Sequence, residues 1–60
     1  MSIYRLYCLK DGQVSAVDYL ECDNDEAALA EARSRHPDDR CELWLGDRLV
    51  AALRGPEASG

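Results

Sequence analysis

DNDEAALAEARSRHP, running from Asp23 to Pro37, carries the start signal, the buried face and the stop signal of one amphipathic helix. Asp23 is placed to accept from the free amides of a first helical turn, and Glu26 three residues on completes an approximate capping box. Asp25 and Glu26 put acid at the positive end of the helix dipole, and Arg33, Arg35 and His36 put base at the negative end. Pro37 cannot continue the ladder and drives the residue before it out of the helical region, so the helix stops at His36 or one residue earlier. On a helical wheel Asp25, Ala28, Leu29, Ala32 and His36 share one face, while Glu26, Ala30, Arg33 and Ser34 point away. A helix that meets its sheet through alanines sits close to it but brings little buried area.

Upstream, Ile3 to Leu9 is rich in aromatic and branched residues and reads as a strand. Asp11-Gly12 then forms a hairpin turn, because glycine takes positive φ without steric cost. An uninterrupted ladder from that turn pairs Leu9 with Val14, Tyr7 with Ala16, Arg5 with Asp18 and Tyr4 with Tyr19. The second strand, Val14 to about Cys22, leads into the helix. Downstream, Asp38-Asp39-Arg40 is a polar connection, Cys41 to Leu45 a third strand, Gly46-Asp47 a turn and Leu49 to Leu53 a fourth strand. A two-residue turn sets Trp44 opposite Leu49, and a three-residue loop sets it opposite Val50. The second register is preferred, since it gathers Cys41, Leu43, Leu45, Leu49, Ala51 and Leu53 on one face.

The predicted class is therefore α+β, in the order ββαββ: a four-stranded, mainly antiparallel sheet with one helix on one face. A helix of about 13 residues spans ~20 Å, the length of a strand of about six. The crossover should be right-handed; which strands join the two hairpins is left open. One domain covers residues 1–53, and residues 54–60, RGPEASG, have the composition of a disordered tail.

Sixty residues with 47% apolar and 32% charged side chains form at most one small globular domain. A domain of this size buries only about 60% of its unfolded surface and needs disulfides, metal or self-association. A net charge of −5 argues against nucleic acid and against an anionic membrane surface as partners. No run approaches the roughly 20 apolar residues of a spanning helix, and MSIYRLYCL lacks both a long apolar core and a cleavage site. A cytoplasmic protein is expected.

Cys8, Cys22 and Cys41 are odd in number and contain no C-x-x-C pair, and each falls in an apolar strand-like run. They are expected to be small buried hydrophobes. A zinc site made from the three cysteines and His36 has suitable ligand types but none of the usual paired spacing, so no metal and no cofactor are expected. Nothing marks a reactive thiol, a Ser/His/Asp set or a phosphate-cradling glycine loop. His36 reads as a partner of the helix dipole, and no catalytic residue is expected.

The helix covers one side of the sheet, taken here as the side of Tyr4, Leu6, Cys8, Val17, Leu43, Leu45, Leu49 and Leu53. The other side then carries Ile3, Arg5, Tyr7, Leu9, Val14, Ala16, Leu20, Trp44 and Val50, which is too apolar for a solvated face. Arg5, Tyr7, Leu9, Trp44 and Val50 are the candidate interface residues, and a homodimer through this face is the expected assembly. Tyr, Trp and Arg on a four-stranded sheet also suggest a single-strand RNA platform, which the acidic charge opposes. A further alternative is an acidic binder or inhibitor of a basic protein surface, a nucleic-acid mimic, using Glu21, Asp23, Asp25, Glu26, Asp38 and Asp39.

The segments YRLYCLKDGQ, ECDNDEAALAEAR and ELWLGDRLVA together resemble a group of small uncharacterised bacterial proteins. That group combines a strand ending in Asp-Gly, an acidic-capped Ala-rich helix and a closing E-L-W-x-G-x-R-x-V hairpin. The resemblance covers Tyr4 to Leu53. It implies a compact bacterial cytoplasmic domain and adds no catalytic or binding residue.

Overall fold

Asp11 and Gly12 both take positive φ, 55° and 79°, the backbone that a I′ hairpin turn requires. They join β1 (Ser2–Lys10) to β2 (Gln13–Cys22) in a computed structural model that describes residues 1–54. α1 (Asp25–Arg35) follows, and then a second hairpin of β3 (Arg40–Leu45) and β4 (Arg48–Leu53). The strands form one sheet in the order β2-β1-β3-β4, and every neighbouring pair is antiparallel. The fold is thus the expected ββαββ α+β arrangement, with the two hairpins joined through β1 and β3. Apart from Arg54, the tail expected over 54–60 lies outside the described residues.

The helix starts one residue later than the sequence suggests. Asn24, not Asp23, is the cap: its backbone is extended and its side-chain oxygen accepts from the Ala27 amide at 2.8 Å. β2 runs on to Cys22, so the chain needs both Asp23 and Asn24 to bend before the first helical turn. At the other end the His36 amide still donates to the Ala32 carbonyl at 3.0 Å, and Pro37 stops the helix. Ala28 and Ala32 are fully buried on the sheet, with Leu29 packed beside them.

Two β-bulges correct the expected registers. Leu9 pairs with Val14 as anticipated, but Ser15 is an extra residue on β2, so Cys8 meets Ala16, Leu6 meets Asp18, Arg5 meets Tyr19 and Tyr4 meets Leu20. The Ser15 hydroxyl donates to the Cys8 carbonyl at 3.2 Å across the irregularity. The expected Arg5–Asp18 cross-strand pair is therefore not made. Leu20 turns to the helix side, where it is 1% exposed, and Val17 turns outward. The bulge turns Ala16, Asp18 and Leu20 to the helix side of the sheet and Val17 and Tyr19 to the other.

In the second hairpin neither simple register holds throughout. The turn is two residues, with positive φ at Gly46 alone, so Trp44 pairs with Leu49 and Leu45 with Arg48. Val50 is then the extra residue, after which Leu43 meets Ala51 and Cys41 meets Leu53. Leu49 consequently faces away from the helix, and Val50 packs against the core. The core itself is Tyr4, Leu6, Cys8, Leu20, Ala28, Ala32, Cys41, Leu43 and Leu53.

Replacing Asn24 by Ala is expected to cost about 1 kcal/mol in urea unfolding, whereas Asp23→Ala stays within about 0.5 kcal/mol. Equal effects at the two positions would refute the cap assignment. Deleting Ser15 is expected to preserve the cooperative transition, because Val14 then runs straight into Ala16 and every other β2 residue keeps its β1 partner and its face. Ser15→Ala, which keeps the bulge and loses one hydrogen bond, is expected to cost only about 1 kcal/mol.

Candidate functional site

The open face of the sheet is built on the odd-numbered residues of β1. Ile3, Arg5, Tyr7 and Leu9 alternate with the buried Tyr4, Leu6 and Cys8, so the strand period of two separates the two surfaces. Arg5 sits directly across from Trp44 on one side and Tyr19 on the other. Its guanidinium donates to the Tyr7 hydroxyl at 2.8 Å, lies 5.5 Å from that ring's centroid and also reaches the Gly46 carbonyl. The Trp44 indole N–H donates to Glu42 at 3.3 Å. Arg5, Tyr7, Val14, Glu42 and Trp44 together line a shallow depression.

Around that depression the face is apolar and wet. Ile3, Val14, Val17, Tyr19 and Leu49 are 41–66% exposed, and all five lie on this side of the sheet. Of the expected interface residues, Arg5, Tyr7, Leu9 and Trp44 are on this face and half-buried, while Val50 belongs to the helix-side cluster. Leu49 takes the place beside Trp44. Leu20 and Ala16, also expected here, are turned to the helix side by the Ser15 bulge.

A second constellation lies on the opposite side, where the C-terminal end of α1 meets β1, β2 and β3. The His36 amide closes the last helical turn, and the chain reverses through Pro37 and Asp38 so that the Asp39 amide donates to the His36 carbonyl at 3.4 Å. This turn brings the Asp39 carboxylate to 3.2 Å from His36 Nδ1. His36 Nε2 lies 2.7 Å from Asp18, the residue the bulge has turned inward. The Asp18 hydrogen bond raises the His36 pKa, with Asp39 adding to it and burial opposing it.

Beneath the imidazole, Cys8 and Cys41 are a direct cross-strand pair, both buried, with the Cys41 thiol donating to Cys8 Sγ at 2.9 Å. Burial, and then the contact with Cys8, pushes the Cys41 thiol up to about 12. One ligand atom each from Cys8, His36 and Asp39 lie within 4.8 Å of one another. Cys22 is not part of this group. It pairs with Ser2 at the far end of β2, six strand positions from Ala16, which faces Cys8, and at about 3.4 Å per residue that is ~20 Å away.

Sequence spacing did not find this cluster because its members come from four elements. The local signal was H-P-D-D, a histidine followed at i+3 by a carboxylate across a proline turn. The acids expected to form one patch are divided. Asp25 accepts from the Tyr4 hydroxyl at 2.7 Å and lies 3.6 Å from Arg48, Asp39 faces His36, and α1 separates the two groups by its length, about 16 Å.

No helix among the described residues is long and apolar enough to cross a membrane. Comparison with protein-family models, with curated proteins and with solved structures finds no match for this chain.

In the reduced native protein one thiol, Cys22, is expected to react readily with maleimide, while Cys8 and Cys41 react only at the rate of unfolding. Mass spectrometry of the time course checks this; three equally fast thiols would contradict the burial of the pair.

Proposed function

We propose that this chain is a small non-enzymatic interaction domain that self-associates through the open face of its sheet, giving a homodimer. The observation that supports the reading is the segregation of exposed apolar side chains: all five such residues of the sheet gather on the face that the helix leaves bare. Two strands of 9 and 10 residues and two of 6 present about 500 Å² in flat projection at ordinary strand spacing. Side-chain relief brings that toward the ~800 Å² per partner of a standard interface.

A second copy suits this face better than an acidic or basic partner does. Arg5 and Glu42 put one charge of each sign near its centre, so a two-fold arrangement can set each Arg5 against the other copy's Glu42. Tyr7, Tyr19 and Trp44 supply the large, rigid contacts that dominate such interfaces. A shared core also meets the need of a domain too short to bury enough surface alone. A cytoplasmic setting fits the three free cysteines.

Sedimentation at micromolar concentration is expected to give twice the 6.7 kDa chain mass, with Trp44 fluorescence shielded from acrylamide. Tyr19→Lys or Val17→Asp should give a folded monomer with an accessible Trp44. A wild-type monomer whose Trp44 is already open to the quencher would overturn the reading.

A further inference from the structure

We propose that Cys8, Cys41, His36 and Asp39 form a binding site for a zinc-type divalent cation, with Asp18 holding the histidine in position from behind. Three of the four ligand atoms, from Cys8, His36 and Asp39, already lie within 4.8 Å of one another; Cys41 Sγ stands outside that circle, 2.9 Å from Cys8 Sγ, and must swing toward the other two ligands to complete the set. Two sulfurs, an imidazole nitrogen and a carboxylate oxygen make a tetrahedral donor set of the kind zinc takes. A tetrahedral ion with sulfur bonds near 2.3 Å holds its sulfurs about 3.7 Å apart, so the two thiols need part by less than ~1 Å. On an antiparallel pair of directly opposed residues, small rotations about χ1 supply that.

The surroundings distinguish this cluster from an incidental grouping of polar side chains. Histidine ligands usually give their second ring N–H to a carboxylate, which fixes the tautomer and aims the ring. Here Asp39 stands 3.2 Å from Nδ1 of His36, and Asp18 stands 2.7 Å from Nε2 on the other side of the ring. The sulfurs come from the buried core and the carboxylate from an exposed turn, so the site has a rigid floor and an open rim through which a hydrated ion enters. Each polar group is also held by a backbone device: Asp18 by the Ser15 bulge, His36 by the helix end and Asp39 by the Pro37 turn. The site is independent of the open face, since Cys8 lies on the opposite side of β1 from Arg5 and Tyr7.

Cobalt(II) added to the reduced, chelator-treated full chain is the direct probe, because thiolate ligation gives a charge-transfer band and tetrahedral geometry gives intense d–d bands. One equivalent is expected to saturate both, and zinc should displace it. Cys8→Ser should remove most of the charge-transfer intensity and weaken zinc binding by at least ~100-fold, while Cys22→Ser changes nothing. Asp18→Asn should weaken binding by about 10–100-fold with the thiolate band retained, the signature of a positioning residue. Should Cys8→Ser fail to fold, Asp39→Asn serves in its place: its carboxylate is half-exposed, and its loss should weaken binding with the circular dichroism spectrum intact. Absence of a thiolate band in the reduced wild-type chain would overturn the site, and so would cobalt binding that survives Asp39→Asn and either thiol replacement unchanged.

Discussion

The close seat of α1 on the sheet, made through Ala28 and Ala32, is the constraint from which the rest of this structure follows. A helix that approaches through alanines leaves the sheet to supply the bulk of the core, and it shields only the surface it lies on. Both consequences are visible. Tyr4, Leu6, Leu20, Leu43 and Leu53 fill the helix side, and Val17, Tyr19 and Leu49 stand exposed on the other. The apolar surplus of β2 and β4 is thereby expelled to a face that has no helix of its own.

The bulges at Ser15 and Val50 are the devices that do the sorting. In a strand the only way to exchange the inner and outer residues partway along is to insert one that counts twice against its neighbour. Each hairpin does this once, on the edge strand. β1 and β3, which pair with two neighbours each, alternate without interruption. An edge strand has one ladder to disturb rather than two, so the distortion costs least there.

Much of this was legible in the residues, and what was not has one physical cause. The element order, the Asp11-Gly12 turn, the helix face and the stop at Pro37 follow from local chemistry: Asp-Gly for positive φ, alanines at i and i+4, proline against the ladder. Arg5, Tyr7, Leu9 and Trp44 were placed on the open face by the period of two counted from Tyr4, Leu6 and Cys8. Val50 was misplaced, as were Leu20, Ala16, Val17 and Leu49, because a bulge has no strong signature in a single sequence and a one-residue slip inverts everything beyond it. The cap moved from Asp23 to Asn24 for a related reason, since either side chain satisfies the same rule and the length of β2 chooses between them. The cluster around His36 was hidden by the same slip. In the uninterrupted register Asp18 lies across from Arg5 on the outer face, and only the Ser15 bulge carries it under the helix.

The association and the ion site proposed above would answer one deficit by different means. A chain of 60 residues with nine buried core side chains among the described residues has little stability to spare. Anything that binds the folded state and not the unfolded one raises stability by mass action, whether a second copy or an ion. The open face and the thiol-histidine cluster lie on opposite sides of β1, so the two contributions act on separate groups while drawing on the same strand for rigidity. Residues on separate surfaces with no shared partner should contribute additively, and departure from additivity would mean that β1 itself shifts between the two states. A central strand locked by ladders on both edges has little freedom for such a shift. The proposed helix-side ion site and the proposed sheet-side association are therefore two independent loads on one rigid strand.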